Sequence, residues 1–120
     1  MNDNKKYYYV YILSAKIKGT LYVGVTGNLI VRVLEHRLKV KKGFSEKHDL
    51  FRLVYYEVFE YIDLAIKREK QLKKWNRDWK IALIEKGNKE WRDLLPDIAE
   101  KELIRNMTEM IIENKEKYEE

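Results

Sequence analysis

Two short runs of β-branched and aromatic residues, joined by a glycine-containing stretch, most constrain how this chain can fold. The first run is Tyr7 to Leu13, the second is Leu21 to Val25, and Ser14 to Thr20 between them contains Lys and Gly. Such residues favour the half-buried surface of a pleated strand, and short polar segments with glycine join neighbouring strands. The pattern therefore predicts an antiparallel β-hairpin near the start of the chain.

A first helix is predicted directly after this hairpin. Asn28 is a favourable N-cap residue, and Gly43 is placed to terminate the helix. Between them the apolar residues follow helical rather than alternating spacing: Leu29, Val33, Leu34 and Val40. The helix therefore begins close to the end of the second strand.

The middle of the chain predicts a third strand and two further helices. Phe51 to Phe59 is a strand-like run, Asp63 to about Trp75 is a long helical segment, and Asp78 to Lys86 is a shorter one that ends at Gly87-Asn88. In the long helix, the candidate core positions are Leu64, Ile66 and Leu72. The predicted order is strand, strand, helix, strand, helix, with the short helix after it.

The length of the chain predicts one domain over residues 1–95 and a helical tail over residues 96–120. A chain of 120 residues is long enough for a single hydrophobic core, and Pro96 is the candidate boundary. After it, apolar residues recur at helical spacing, as in an amphipathic helix: Ile98, Leu103, Ile104, Met107, Met110 and Ile111. We expect this helix to pack on its own domain or on a partner, including a second copy of the chain.

The distribution of charge favours a polyanionic partner. Residues 1–95 contain 21 Lys and Arg against 12 Asp and Glu, whereas residues 96–120 contain 4 against 8. Lys and Arg displace the counterions condensed on nucleic acids, and Tyr or Trp can stack on unpaired bases. A basic surface also occurs where charge serves only solubility. An acidic tail lying over a basic site would suppress binding of the substrate, which removal of residues 97–120 would reveal.

The absence of cysteine excludes disulfides and thiolate zinc sites, so any metal must be bound by oxygen or imidazole. No run approaches the roughly 20 apolar residues that span a bilayer. We therefore expect a soluble, cytoplasmic protein without a membrane partner.

Two tyrosines are candidates for the chemistry of phosphodiester cleavage, which requires a group that takes a proton from the nucleophile. Tyr11 and Tyr22 are predicted to face each other across the hairpin. A depressed pKa would let one phenol act as general base, although a free phenol has a pKa near 10. Arg32 and a bound cation would favour the phenolate. The alternative is that both are ordinary strand tyrosines.

Three further residues complete a candidate phosphate site. Arg32 and His36 lie four residues apart and share one face of the first helix, where Arg can bind phosphate oxygens and His can transfer a proton. Glu69 is the one acid in the basic segment Lys67 to Lys74, and a single carboxylate commonly holds Mg²⁺. The alternatives are solvated side chains for the first pair and an ion pair with Lys73 for Glu69.

Taken in order, these residues resemble the GIY-YIG nuclease superfamily, in particular its small single-domain bacterial members often described as URI-domain endonuclease-like. The segments Val10-Tyr11-Ile12 and Tyr22-Val23-Gly24 occupy its two strand motifs, Arg32 and His36 its helix motif, and Glu69 its metal-ligand position. The segments GTLYVGVT, REKQLKKW and EWRDLL are similar to the small bacterial members. The resemblance covers about residues 6–95.

This resemblance implies an α+β fold, in which a small three-stranded antiparallel sheet is flanked by helices, with the C-terminal amphipathic helix added. It implies one divalent cation, Mg²⁺ or Mn²⁺, bound by Glu69. It also implies that Tyr11 is the general base and Tyr22 an alternative base or an orienting group. Arg32 would stabilise the scissile phosphate, and His36 would assist.

The sequence departs from the superfamily pattern at three positions. Tyr9 stands where the first motif has glycine, Val25 stands where excision-repair members have lysine, and Asn76 is a weak match to the late asparagine of homing enzymes. Gly24 lies in the second predicted strand, where a glycine either lets the backbone or the substrate approach closely or marks a β-bulge.

The resulting hypothesis is a metal-dependent endonuclease that acts on DNA, for example in DNA repair, and is structure-selective rather than sequence-specific. Single-stranded or branched DNA is favoured over a defined sequence, and RNA suits the composition equally. Phosphates outside the site would be bound by a set of lysines: Lys39, Lys41, Lys42, Lys70, Lys73 and Lys74. The alternatives are a non-catalytic nucleic-acid-binding module and an interaction adaptor or homodimer that uses the C-terminal helix.

Overall fold

A three-stranded sheet with helices on both faces makes up the fold. A computed structural model of the chain describes residues 5–38 and 52–118, with side chains described up to residue 114. The strands are β1 (Tyr8–Ser14), β2 (Leu21–Thr26) and β3 (Arg52–Phe59). The helices are α1 (Leu29–Arg37), α2 (Ile62–Lys74), α3 (Arg77–Gly87), α4 (Leu95–Ile98) and α5 (Lys101–Tyr118).

The sheet has the order β2-β1-β3, and both pairings are antiparallel. In the hairpin Tyr11 pairs with Gly24 and Leu13 pairs with Tyr22, while the β1–β3 pairing contains an irregularity between Ile12 and Leu13. The predicted α+β fold with an antiparallel sheet is confirmed. The predicted strands each match an observed one within a residue or two at their ends, and Phe51 lies outside the described residues.

Alternation along β1 creates two hydrophobic layers, because successive side chains point to opposite faces of a sheet. One layer joins the sheet to α2 and α3, and its buried residues are Val10, Ile12, Val23, Val54, Ala65, Leu72, Ile84 and Trp91. The other joins the sheet to α1, and its buried residues are Tyr11, Leu13, Leu29, Val33, Leu34, Leu53 and Leu95. The candidate catalytic residue Tyr11 therefore lies on the α1 face of the central strand.

Helix α1 begins where the sequence predicts. The side-chain oxygen of Asn28 accepts a hydrogen bond from the Val31 amide at 3.2 Å, which satisfies one of the amides left free at a helix start. Helix α1 ends at Arg37, and both Val40 and the predicted terminator Gly43 lie outside the described residues.

The core face of α2 differs from the prediction. Leu72 is fully buried as expected, but the side chains of Leu64 and Ile66 are 48% and 36% exposed, and Ala65 between them is fully buried. Residues seven apart lie on the same face of a helix, so Ala65 and Leu72 form the stripe against the sheet. Leu64 and Ile66 flank that stripe, and their assignment to the core was wrong.

The apolar stripe of the C-terminal segment divides between two surfaces. Four of its members pack against the layer beneath α1: Ile98, Ile104, Met107 and Ile111. Leu103 and Met110 are exposed instead. Helix α5 thus lies on the same side of the sheet as α1, and the predicted homodimer through this helix stays a prediction. None of the described helices is long and apolar enough to span a membrane.

Candidate active site

Three rings from three different elements meet on the α1 face of the sheet. The ring centroids of Tyr22 and His36 are 4.9 Å apart, and each lies 6.3 Å from the ring centroid of Tyr11. The Tyr11 hydroxyl lies 3.5 Å from His36 Nε2. The tyrosines are diagonal neighbours across the hairpin, not directly opposite as predicted, because Tyr11 pairs with Gly24. The two phenols nevertheless share one face, and α1 places the imidazole beside them.

Gly24 makes room for the ring of Tyr11. A Cβ atom at this position would lie 2.5 Å from both the Cζ and the Oη of Tyr11, well inside van der Waals contact. The pairing of Gly24 with Tyr11 is regular, which excludes a bulge here. Of the two sequence interpretations, the close approach is therefore correct, and the group that approaches is the aromatic ring of Tyr11.

Arg32 lies on α1 within electrostatic reach of Tyr11, since its positive charge lowers the pKa of that phenol. Its guanidinium forms an ion pair with Glu35 at 3.4 Å, and both side chains are partly exposed. Sequence analysis did not identify Glu35. The available signal was that Glu35 is the one acid in α1 and follows Arg32 by three residues, a spacing that brings side chains together on a helix.

Glu69 approaches the same phenol from α2. Its negative charge contributes to a raised pKa of Tyr11, which puts the carboxylate within electrostatic reach of the hydroxyl. The Glu69 side chain is mostly buried, and one of its oxygens binds Lys73 Nζ at 2.9 Å. The ion pair predicted as an alternative is thus present. A carboxylate has about four lone-pair sites, so the ion pair with Lys73 leaves Glu69 able to bind another ligand.

Burial is the main cause of a raised pKa for Tyr11, with smaller contributions from Tyr22, Glu35 and Glu69. Removing a phenol from water disfavours its charged form, and Arg32 offsets this only in part. Arg32 alone therefore does not depress the pKa of Tyr11, and the effect of a bound cation stays a prediction. At neutral pH the hydroxyl of Tyr11 is protonated and can donate a hydrogen bond.

A family model described as the GIY-YIG catalytic domain matches residues 7–82, from β1 into α3. The chain belongs to the GIY-YIG family. The matched stretch contains every residue of the site just described: Tyr11, Tyr22, Arg32, Glu35, His36 and Glu69. The GIY-YIG catalytic domain places the chain in a nuclease family of enzymes.

Relatives of this GIY-YIG protein occur in several microorganisms. The chain is 31% identical over 80 residues to a UPF0213 protein of Staphylococcus saprophyticus, covering 67% of this chain and 96% of that protein. It is 33% identical over 87 residues to a UPF0213 protein of Haloquadratum walsbyi, covering 72% and 93%. A solution NMR structure of a UPF0213 protein from Bacillus halodurans, 24% identical, superimposes with a TM-score of 0.47 over 75% of this chain and 95% of that chain.

The carboxylate of Glu69 fits the manner in which Mg²⁺ is usually bound. This ion keeps several waters and takes one or two carboxylates together with phosphate oxygens of the substrate. Among the described residues of the GIY-YIG domain, no three Asp, Glu or His side chains converge on one point. A cation at Glu69 would therefore keep most of its coordination positions for water and substrate.

The remaining predicted residues lie outside this cluster. Lys70, Lys73 and Lys74 are exposed on α2. The side chain of Asn76 caps α3 by accepting a hydrogen bond from the Trp79 amide at 2.9 Å, which explains its presence without a role in the site. A second lysine set lies outside the described residues: Lys39, Lys41 and Lys42.

The raised pKa of Tyr11 predicts a loss of stability at alkaline pH. The folded state keeps this phenol protonated above pH 10, where the unfolded chain ionises, so its contribution to the unfolding free energy is complete below about pH 10. That contribution falls as the pH rises from about 10 towards the folded-state pKa, and it is lost above that pKa. Urea unfolding of the intact protein and of Tyr11→Phe, measured from pH 9 to 12, tests this. We expect the unfolding free energy of the intact protein to fall more steeply above about pH 10 than that of Tyr11→Phe, and equal slopes would contradict the prediction.

Proposed function

We propose that this GIY-YIG protein is a divalent-metal-dependent nuclease that hydrolyses phosphodiester bonds in DNA. The supporting observation is the cluster of Tyr11, Tyr22 and His36 on one face of the sheet, with Arg32 and Glu69 within electrostatic reach of the same phenol. Each has chemistry that this reaction needs, namely proton transfer, neutralisation of phosphate charge and metal ligation.

Proton transfer is assigned to Tyr11 and His36 acting together. Burial disfavours ionisation of Tyr11 before the reaction begins. The neutral hydroxyl can instead take a proton from the attacking water while it passes its own proton to His36 Nε2. Their separation of 3.5 Å is long for a hydrogen bond, and such contacts often shorten once substrate is bound. Tyr22, whose ring lies against the imidazole, would orient His36 and the attacking water.

Arg32 and Glu69 supply the electrostatic part of the proposed reaction. The guanidinium of Arg32 can present paired N–H donors to phosphate oxygens. Glu35 restrains this side chain through the ion pair at 3.4 Å. Glu69 would hold the metal with a carboxylate oxygen while Lys73 restrains its side chain. When bound, a divalent cation offsets the negative charge that accumulates on the phosphate.

The proposed substrate is DNA with single-stranded or branched segments. Exposed Lys70 and Lys74 follow Glu69 on α2 and share one face of the helix, where they would bind phosphates beside the site. Contacts to the backbone position a nucleic acid without reading its sequence, so a preference for DNA structure rather than sequence is expected.

Cleavage assays test the proposed function directly. Labelled single-stranded, duplex and branched DNA are incubated with Mg²⁺ or Mn²⁺ and with the intact protein, Glu69→Ala or Glu60→Ala. Glu60 is a matched control, because it is an exposed acid just before the start of α2, where it forms an ion pair with Lys5. We expect metal-dependent cutting by the intact protein and Glu60→Ala, and none by Glu69→Ala. Binding without cutting in all three proteins would instead identify a non-catalytic nucleic-acid module.

A further inference from the structure

The corner between α2 and α3 combines positive charge with an exposed aromatic ring. Residues 70–80 contain five Lys or Arg, one Asp and two tryptophans. The Trp79 side chain is 58% exposed, although tryptophan is the largest apolar side chain. A single exposed apolar residue is ordinary on a protein surface. The case for function here therefore depends on how the ring is held and on what surrounds it.

The ring of Trp79 is held in position by neighbours that are themselves anchored. It packs edge-on against Trp75 with 5.8 Å between ring centroids and 88° between ring planes. Trp75 is half-buried against the core, and the Arg68 guanidinium carbon lies 5.2 Å from its ring centroid. Arg68 in turn donates to Glu57 at 2.9 Å. A ring positioned in advance loses little conformational entropy when a ligand stacks on it.

A basic cleft lies at the start of α3, the helix that carries Trp79. It has a volume of about 270 Å³ and is lined by Thr20, Leu21, Arg77 and Lys80. The guanidinium of Arg77 donates to the carbonyl oxygens of Lys18 and, at 2.7 Å, of Gly19, which fixes its position at the mouth of the hairpin loop. Two cations and a hydroxyl group in one open cleft suit a phosphate group.

We propose that this corner binds a single-stranded segment of the DNA substrate, with an unpaired base stacked on Trp79 and a phosphate of the same strand held by Thr20, Arg77 and Lys80. The inference deepens the proposed function, on which it rests, by naming the part of the substrate that is recognised. Base stacking on an aromatic ring beside cations is typical of proteins that bind single strands without reading sequence. In a duplex, the faces of the bases are already stacked on one another, so this interaction selects unpaired DNA.

The corner begins a short distance from Glu69 along α2. From Glu69 to the end of α2 at Lys74 is five residues, or about 7.5 Å along the helix axis. Stacked nucleotides rise about 3.4 Å each, so roughly two nucleotides cover this distance. A strand whose phosphate lies near Glu69 therefore needs about two nucleotides to reach the end of α2, where the corner with α3 begins.

Binding measurements without divalent metal test the proposal, because cleavage then cannot contribute. Fluorescence anisotropy is recorded with a short labelled thymidine oligonucleotide and with a blunt duplex of equal length, in the presence of EDTA. Trp79→Ala is expected to weaken single-strand binding about five- to 150-fold and to leave duplex binding within about twofold. Trp79→Phe, which keeps an aromatic face, should recover part of the loss. Tyr61→Ala is the matched control, since Tyr61 is also an exposed aromatic residue, at 63%, and lies at the start of α2, the opposite end of that helix from the corner.

The outcomes separate this inference from the proposed function. Unchanged single-strand binding by Trp79→Ala, in a protein that still cleaves DNA, would overturn the inference and leave the nuclease standing. Equal weakening of single-strand and duplex binding would overturn the selection of unpaired bases. A concentration-dependent molecular mass that Trp79→Ala abolishes would assign the corner to self-association instead. Failure of the intact protein to bind either DNA would overturn the inference and the proposed substrate together.

Discussion

Replacement of Gly24 by alanine is expected to lower the rate of DNA cleavage by about 10²- to 10⁴-fold, the range that a positioned acid–base group contributes. The new methyl group would lie 2.5 Å from Cζ and Oη of Tyr11. Tyr11 is almost fully buried, so its ring must tilt and carry the hydroxyl away from His36. Overpacking of this kind costs about 1–3 kcal/mol of unfolding free energy, which a folded domain of 120 residues tolerates.

A double-mutant comparison separates loss of the hydroxyl position from loss of the fold. Tyr11→Phe removes the hydroxyl alone, and Gly24→Ala should add little to that loss because both changes remove the same interaction. Gly87→Ala is the control, since a Cβ atom there meets no heavy atom within 4 Å. Cleavage rates are measured alongside urea unfolding of each variant. Full activity of a folded Gly24→Ala variant would exclude the proposed role of Tyr11.

Local patterns in the sequence were sufficient to predict the three strands, the longer helices and the shared face of the site, but not the short helix α4. Alternation along a strand puts Tyr11 and Tyr22 on one side of the hairpin, and a spacing of four residues puts Arg32 and His36 on one side of α1. The Asn28 cap also depends only on its neighbours in sequence. Each of these predictions uses a rule that operates within one or two elements, which explains why they agree with the structure.

The features that sequence analysis missed depend on contacts between distant segments. Burial raises the pKa of Tyr11, and burial is decided by packing against α1, which the β1 sequence does not encode. The space that Gly24 provides depends on a ring in the opposite strand. In α2, the apolar residues Leu64 and Ile66 were predicted as core positions, and only the position of the sheet shows that the buried residue is Ala65 between them.

Helix α2 carries Glu69, so its packing partners are also important for the site. Trp91 is fully buried in the layer that contains Ala65 and Leu72 of this helix. Its indole donates a hydrogen bond to Glu85 at 2.7 Å. The neighbouring turn is fixed by the buried Asn88, whose amide donates to the Val54 carbonyl at 3.1 Å. Trp91 therefore supports the sheet and both helices on that face.

Trp91→Ala is expected to lower the unfolding free energy by about 3–5 kcal/mol, the usual cost of removing a large buried aromatic side chain. This corresponds to a fall in Tm of about 10–20 °C for a domain of this size. Trp79→Ala is the matched control, because Trp79 is exposed and should leave Tm nearly unchanged. Circular dichroism melts and urea titrations provide the measurement.

The backbone at Trp91 provides a second, more specific test. Its φ of 57° lies in the left-handed region, where glycine is favoured over alanine by about 1 kcal/mol. Trp91→Gly should therefore be as stable as Trp91→Ala or more stable, the reverse of the order seen at ordinary positions. Both variants should lose cleavage activity at a lower temperature than the intact protein, because α2 loses its support and Glu69 moves with it. A Trp91→Ala variant with unchanged Tm would show that this layer does not stabilise α2.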